Sequence, residues 1–266
     1  FTSRDNITAI DGTNYNQVYD ASTNEGGAST RLISGLEQSV VSANLNEGTA
    51  TIFELQNTSH GKQLVLDSLI QLGGNMNLGC YNDMNEKVYY VQYDSFNKQS
   101  YLSIIDANSL LKIAEIPISQ HLRDIKYNNH NNKVYLVLLE DKKIIPIDGE
   151  SDEILSNEII SLPNEPVEIF ISSSNKIYVS CLNYIYIIDG NTHQILNNIL
   201  ANGWKHFIEN ADSHIIYASQ GEHSNIIAID GITNQKISDI SISGTSVYDM
   251  CYVESDNCIF VSNSDS

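Results

Sequence analysis

At 266 residues, the chain is long enough for one large all-β domain or for two ordinary domains. Its 14 basic and 33 acidic side chains give a formal net charge of −19, so its surface repels phosphate backbones and anionic lipids. This charge argues against nucleic-acid binding and membrane insertion, and the apolar runs are much shorter than the roughly 20 residues of a membrane-spanning helix.

The start of the chain bears on its location. The chain begins with Phe1 and without a basic segment followed by an apolar one. We therefore expect that an export signal has been removed or that the chain is part of a longer protein. Both interpretations favour an extracellular or cell-surface protein.

Strand-like segments rich in Val, Ile and Tyr follow one another along the chain, separated by short breaks of Asn, Ser, Asp and Gly. This pattern predicts short antiparallel strands joined by tight turns, and no segment has sustained helical periodicity. In chain order, the segments fall within residues 6–22, 30–72, 75–119, 122–159, 166–200, 204–242 and 246–263. The clearest group is 166–200, whose segments are "PVEIFIS", "KIYVSCL", "YIYIIDG" and "QILNNIL".

An acidic residue closes the third segment of each group and recurs at a nearly constant interval. These acids are Asp11, Glu54, Asp106, Asp148, Asp189 and Asp230, spaced by 43, 52, 42, 41 and 41 residues. A four-stranded sheet of about 40 residues cannot bury both of its faces alone, so copies must pack against one another. The sequence therefore predicts an all-β fold, a β-propeller of four-stranded antiparallel blades, with residues 1–266 as a single domain.

The acids of this series are predicted to be structural turn residues. In "IDG" the Ile packs between blades, the Asp caps neighbouring amides, and the Gly supplies backbone freedom for the turn into the outer strand. We therefore assign these acids no catalytic role.

Each end of the chain supplies half a blade. Residues 246–263 provide a first and a second strand, and residues 6–22 provide a third and a fourth. Joined, they form one composite blade, which gives six blades and leaves no open sheet edge. The alternative is a seven-bladed ring of which this chain is a fragment, because "FTS" at the N-terminus is similar to the end of a second strand.

Three segments are similar to the repeat of a known family: "NKIYVSCLNYIYIIDGNTHQILNNI", "NKVYLVLLEDKKIIPIDGESDEI" and "HIIYASQGEHSNIIAIDGITNQKI". They resemble the YVTN-type β-propeller repeat, and the resemblance covers nearly the whole chain. It implies a propeller fold and a location outside the cell or on its surface. It also implies a binding or structural role more often than an enzymatic one.

The candidate binding surface lies at the end of the central channel where the innermost strands begin. Residues just before these strands converge there, whatever their distance in sequence. They are Asn77, Arg123, Trp204 and Tyr248, with His121 and His206 close by. Trp, Tyr and Arg often contribute most of the binding energy of an interface. The alternative is that Trp204 fills the space between blades and that Arg123 balances the charge of nearby acidic residues.

Signatures of catalysis and metal binding are weak. Five histidines fall in predicted turns and are expected to be solvated, namely His60, His130, His193, His214 and His223. No Ser-His-Asp order, phosphate loop or His-Glu-x-x-His motif is present, so we predict no catalytic residue, metal site or cofactor. Acidic turns such as "DGESDE" could bind calcium weakly, although none matches a calcium-loop motif.

The four cysteines lack Cys-x-x-Cys spacing and predict neither a disulfide scaffold nor a zinc site. Cys251 and Cys258 flank "YVESDN", and a two-residue turn at Glu254 and Ser255 would place them directly opposite each other. We therefore predict a cross-strand disulfide between them if the protein is exported.

Together, the repeat and the resemblance favour a non-enzymatic binding or scaffold module, exported or on the cell surface. Its expected partners are proteins, glycans or copies of itself. The alternative is a propeller enzyme, a lyase or hydrolase, with its site at the channel mouth.

Overall fold

The structure is a computed structural model, and it describes most of the chain. The described residues are 6–10, 17–22, 30–36, 39–44, 49–58, 61–71, 75–94, 98–109, 111–118, 122–203, 206–220, 225–244 and 246–264. The chain divides into two compact units, Phe1–Gln120 and His121–Ser266, which are described separately. No helical segment in the described residues has the length and hydrophobicity needed to cross a membrane.

Unit 1 contains one two-stranded and two four-stranded antiparallel sheets, in the orders β1-β2, β3-β4-β5-β6 and β7-β8-β9-β10. The strands are β1 (Asn6–Ile10), β2 (Gln17–Ser22), β3 (Thr30–Leu36), β4 (Ser39–Asn44), β5 (Thr49–Thr58), β6 (Gly61–Gln71), β7 (Asn75–Asn82), β8 (Lys87–Asp94), β9 (Gln99–Asp106) and β10 (Lys112–Ile118).

Unit 2 contains three four-stranded antiparallel sheets, β11 to β14, β15 to β18 and β19 to β22, and the hairpin β23-β24. The strands are β11 (Leu122–Asn128), β12 (Lys133–Leu138), β13 (Lys143–Asp148), β14 (Ile160–Ser161), β15 (Pro166–Ile171), β16 (Lys176–Cys181), β17 (Tyr184–Asp189), β18 (Ile195–Leu200), β19 (Phe207–Asn210), β20 (Ile215–Gln220), β21 (Asn225–Asp230), β22 (Lys236–Ser241), β23 (Ser246–Val253) and β24 (Cys258–Ser264). Two short 3₁₀ turns, Ser156–Glu158 and Glu254–Asp256, are the helical segments among the described residues.

The predicted all-β propeller fold of four-stranded antiparallel blades is confirmed. In every four-stranded sheet, strands that follow one another in sequence are also neighbours in the sheet. The two half-blades also form the predicted hairpins, β1 with β2 and β23 with β24, as separate two-stranded sheets. Their union into one composite blade, the count of six blades and the single domain stay predictions.

The core of unit 2 lies between successive blades. Alternate residues of a strand point to opposite faces of its sheet, and both faces of the central strands are buried. On β16, Ile177 and Val179 pack in a cluster with Tyr135 of the preceding blade, whereas Tyr178 packs with Phe207 of the following blade. Each fully buried Ile or Val contributes about 1.5–3 kcal/mol to stability, so these interfaces hold the blades together.

Four of the six predicted turn acids are confirmed as such: Asp106, Asp148, Asp189 and Asp230. In Asp189, Oδ1 accepts hydrogen bonds from the backbone N–H groups of Asn191 at 3.0 Å and Thr192 at 2.8 Å. The Thr192 hydroxyl donates a third bond at 3.0 Å. These bonds, led by the backbone bond from Thr192, hold the pKa of Asp189 below its usual value.

The other two acids of the series do not support the prediction. Glu54 is wrong as a turn residue, because it lies in the middle of β5 and pairs with Ser39 on one side and Val65 on the other. A periodic acid at this position was mistaken for the end of a strand. Asp11 lies outside the described residues.

The glycines after Asp189 and Asp230 are needed for a different reason from the one predicted. Positive φ falls on the fourth residue after the acid, for example 58° at His193 and 61° at Asn234, and not on Gly190 or Gly231. Gly190 instead lies against the preceding hairpin, and its N–H donates to the Asn175 carbonyl at 2.9 Å. A Cβ on Gly190 would lie 2.4 Å from that carbonyl oxygen, so close approach and not backbone freedom excludes a side chain.

The fourth strand of the predicted group 122–159, expected at "EILSNEII", is shorter than predicted. Strand β14 comprises only Ile160–Ser161, and the 3₁₀ turn Ser156–Glu158 lies in the middle of the predicted segment. Glu158 in this turn binds Lys133 and lies 3.4 Å from His193.

The predicted pairing that would join Cys251 and Cys258 in a disulfide is wrong. The hairpin has a 3₁₀ turn at Glu254–Asp256 followed by Asn257 at φ 49°, and not the predicted two-residue turn. Its register places Cys258 opposite Val253 and Cys251 opposite Phe260. The two cysteines are therefore diagonal neighbours, about 7–8 Å apart, which exceeds disulfide reach. Both are exposed free thiols.

Candidate functional site

The first strand of several blades contains a register shift near its beginning. The pairing skips Asn77 in β7, Arg123 in β11, Val167 in β15 and Tyr248 in β23. A β-bulge of this kind bends the strand and changes the direction of the side chains beside it. Three of the skipped residues had been predicted as binding residues from the sequence.

Four residues that begin the inner strands of unit 2 form the candidate site, and we call them the inner row: Asp124, Glu168, His206 and Asp249. Each stands directly before a buried apolar residue, namely Ile125, Ile169, Phe207 and Met250. The first strands of neighbouring blades contact each other, β11 with β15 and β19 with β23, so residues at equivalent positions approach one another. The repeat therefore presents one titratable side chain per blade at the same end of unit 2.

Asp124 has a structural role within the inner row. Its side chain is buried, its Oδ1 accepts from the N–H of Ile125 at 2.8 Å, and its Oδ2 accepts from the N–H of Ile169 at 2.9 Å. The second bond crosses from β11 to the next blade. Desolvation raises the pKa of Asp124 above its usual value, although the two N–H donors oppose this effect.

Glu168 and His206 form an ion pair between successive blades. His206 Nδ1 lies 3.0 Å from Glu168 Oε2, and the two side chains are 46% and 28% exposed. The hydrogen bond with Glu168 is the largest cause of a raised His206 pKa, and the charges of Glu168, Asp249 and Asp124 act in the same direction. The backbone of His206 is fixed by two bonds to Ser219, so its imidazole is held at this end of the blade.

Asp249 extends the inner row to β23. Its Oδ1 accepts from the N–H of Met250 at 2.8 Å, and the residue is exposed. Asp124 bonds its own following N–H in the same way, so the local geometry repeats. Asp249 differs in that it keeps a solvent-facing carboxylate, which makes it available to a partner.

The structure places the six predicted binding residues as follows. Arg123 is exposed and forms no ion pair with a described residue. His206 belongs to the inner row. His121 and Trp204 lie outside the described residues, as do the side chains of Asn77 and Tyr248. Asn77 belongs to unit 1, whereas the other five belong to unit 2.

Sequence reasoning missed Asp124, Glu168 and Asp249. The signal was present, because "RDI", "VEI", "KHF" and "YDM" occupy equivalent places in four blades and each carries a titratable residue before an apolar one. The sequence interpretation instead favoured the larger residues next to them. The register shift in the first strands is not visible in the sequence.

The prediction that His193 is solvated is wrong. Its side chain is 8% exposed, its Nε2 lies 2.9 Å from the Tyr135 hydroxyl, and its Nδ1 faces Glu158. Burial, followed by the charge of Lys133, lowers the pKa of His193, and burial raises the pKa of Tyr135 to about 12. This cluster joins two blades at a distance from the inner row. His130 and His214 are exposed as predicted, and His60 and His223 lie outside the described residues.

Unit 2 contains a small pocket away from its strand pairs. The pocket has a volume of about 190 Å³ and is lined by Lys142, Asn164, Glu165, Leu182 and Asn183. Such a volume is below the roughly 300–1,000 Å³ of cavities that enclose small ligands. In the described part of the chain, no group of three or more His, Cys, Asp or Glu is arranged to hold a metal ion.

Comparison with known proteins gives structural likeness only. No protein-family model and no curated protein sequence matches the chain. A functionally unknown protein from Desulfotomaculum acetoxidans DSM 771 has a TM-score of 0.73 and 12% identity, over 91% of this chain and 78% of that chain. Dihydro-heme d1 dehydrogenase NirN, in complex with DHE, has a TM-score of 0.73 and 14% identity, over 93% of this chain and 53% of that chain. At such identities the likeness supports the all-β propeller fold and carries no function.

Proposed function

We propose that the chain is a non-enzymatic binding module that contacts a protein partner through the inner-strand end of unit 2. The observation that carries the proposal is the inner row, in which Glu168, His206 and Asp249 present polar groups to solvent beside the exposed Arg123. Charged groups on an open surface give specificity and speed of association.

The proposed location is outside the cell or on its surface, and the resemblance of the repeats to the YVTN-type propeller repeat supports it. Glycans and further copies of this chain are the other partner classes. A protein is favoured because a surface with a net charge of −19 attracts basic protein surfaces, whereas most neutral glycans gain nothing from this field. Fractionation of the producing cells tests the location.

The binding proposal is tested by site-specific photocrosslinking. A photoreactive amino acid at Arg123 is expected to cross-link a partner in the producing cells, whereas the same group at Ile232, which is 68% exposed in the β21–β22 turn, is not. The partner identified in this way is then titrated against Arg123→Ala, with an expected loss of affinity of about tenfold or more. Equal cross-linking from both positions, or none from position 123, would contradict the proposal.

A second candidate function is a lyase or hydrolase, and the Glu168–His206 pair favours it. A carboxylate at Nδ1 orients an imidazole so that Nε2 can accept a proton, which is the arrangement of a general base. Ester, phosphate and polysaccharide substrates are assayed with the parent and with His206→Gln. Turnover that disappears in His206→Gln would favour the enzyme over the binding module.

A further inference from the structure

The inner row is negative in either protonation state of His206. The charged groups that face His206 are Glu168 on β15, Asp249 on β23 and Asp124 on β11. His206 Nδ1 lies 3.0 Å from Glu168 Oε2, and the carboxyl groups of Asp249 and Asp124 act on the imidazole through their charges. Even with His206 protonated and Asp124 neutral, Glu168 and Asp249 leave one negative charge, and a neutral His206 leaves both of their charges uncompensated. The row attracts a positive group, and most strongly when His206 has lost its proton.

A buried hydroxyl beside Glu168 has no partner. Ser180 pairs directly with Glu168 across β15 and β16, so both side chains project from the same face of the sheet. Ser180 is completely buried, and its Oγ forms no hydrogen bond with a described residue. In the next blade, Ser219 Oγ at the equivalent place accepts the N–H of His206 at 2.8 Å. A buried polar group without a partner is costly, so Ser180 indicates a missing hydrogen-bonding group next to Glu168.

We propose that Glu168, Asp249 and Ser180 bind a cationic side chain, a guanidinium or an ammonium group, of the protein partner. This inference rests on the proposed function and names the chemistry that the partner presents there. A guanidinium or ammonium group carries only donors, whereas the two carboxylates and the unpartnered hydroxyl supply acceptors. The planar fork of an arginine suits a carboxylate especially well, because it forms two parallel N–H bonds to it.

An organic cation fits this site better than a metal ion does. Within the described residues no group of three metal-binding side chains is found, and calcium takes six to eight oxygen ligands. An arginine or lysine needs only one or two carboxylates. The chemistry of the donor set therefore favours a side chain of the partner.

Cation binding and protonation of His206 compete with each other. His206 and the bound cation draw on the same carboxylates, so the cation binds more tightly to the deprotonated form. By linkage, binding lowers the apparent pKa of His206, and affinity rises with pH. If His206 only connects two blades, the cation changes neither the apparent pKa of His206 nor its own affinity with pH.

The experiment follows the imidazole of His206 by NMR in protein labelled with ¹⁵N-histidine. The probe is N-acetyl-arginine amide, and the matched control ligand is N-acetyl-citrulline amide, which has the same shape without the charge. At constant ionic strength, the arginine derivative is expected to lower the apparent pKa of His206 and to bind several-fold more tightly above that pKa than below it. The citrulline derivative is expected to do neither. Equal effects of the two ligands would overturn the inference.

Matched variants locate the site. Glu168→Gln is expected to weaken binding of the arginine derivative at least fivefold, whereas Glu153→Gln, the same change at an exposed turn, leaves it unchanged. Ser180→Ala is expected to weaken binding two- to threefold without lowering the melting temperature, because the hydroxyl that it removes has no partner among the described residues. If Glu168→Gln binds like the parent, the site is elsewhere and the inference is wrong.

The outcomes separate this inference from the proposed function. A partner that cross-links from position 123 but is not displaced by the arginine derivative leaves the proposed function standing and overturns the inference. Binding of the arginine derivative at Glu168, with no partner cross-linked from position 123, overturns the assignment of the cation to a protein and makes it a free ligand.

Discussion

Replacement of Gly190 by Ala is expected to destabilise unit 2 strongly. The new Cβ would lie 2.2 Å from Oδ1 and 2.4 Å from the carbonyl oxygen of Asn175, closer than the 3.0 Å that Cβ atoms keep from other heavy atoms. Neither oxygen moves easily. The carbonyl accepts the N–H of Gly190 at 2.9 Å, and Oδ1 accepts Nδ2 of Asn128 in the preceding blade at 2.8 Å.

The size of the loss in the free energy of unfolding follows from these contacts. Overpacking of this kind costs about 1–3 kcal/mol, and losing one or both of the hydrogen bonds costs about 1 kcal/mol more. We therefore expect Gly190→Ala to lower the free energy of unfolding by about 2–4 kcal/mol. Gly231→Ala is expected to cost less, because its Cβ meets one backbone oxygen within 3.0 Å, that of His214 at 2.7 Å.

Urea denaturation followed by far-ultraviolet circular dichroism measures the effect. The control is Asn191→Ala at the next position, which is exposed and adds no atom near the Asn175 carbonyl. It removes the bond from Asn175 Nδ2 to Asn191 Oδ1 and is expected to cost less than about 1 kcal/mol. A Gly190→Ala protein within about 0.5 kcal/mol of the parent would refute the close-approach argument.

Three further predictions concern titratable and reactive side chains. Asp189→Ala is expected to lower the free energy of unfolding by about 0.5–1 kcal/mol at neutral pH, discounted for exposure. Because the pKa of Asp189 is lowered in the fold, this contribution is lost below about pH 4, and an equal difference at pH 3 would contradict it. Burial lowers the pKa of His193, so the unfolded chain takes up the proton first and stability is expected to decline as the pH falls through about 6.5. His193→Gln is expected to flatten this decline in calorimetry, and an unchanged decline would assign it to other groups. Cys251 and Cys258 are expected to react with an aromatic disulfide reagent in the native, unreduced protein, and protection of both would restore the disulfide hypothesis.

The strands and most turns could be predicted from the sequence because their causes are local. A run such as "YIYIID" carries its own β propensity, and β17 spans Tyr184–Asp189 as expected. The hydrogen bonds of Asp148 and Asp189 reach only two or three residues along the chain, so the turn chemistry is visible in a short window.

The errors arose where the cause lies in another hairpin or another blade. The partner of His193 is Tyr135, which is 58 residues away in sequence, and nothing in the turn itself shows that the imidazole is buried. The partner of Gly190 is the carbonyl of Asn175 in the preceding hairpin. Likewise, the register shift at Arg123 determines which neighbour faces the next blade, and a pattern of period two cannot reveal such a shift.

If the inner row binds a partner as proposed, its equivalent positions allow the binding preference to be altered independently of folding. Apolar interfaces and turn hydrogen bonds, which are almost the same in each blade, maintain the architecture. The residue before the buried apolar position varies from blade to blade as Asp, Glu, His and Asp, and the backbone accommodates each of them. The side chains at these positions can therefore be exchanged without changing the backbone of the blades. Exchanging Glu168 or Asp249 for basic or aromatic residues would give a family of binders with different preferences on one unchanged scaffold.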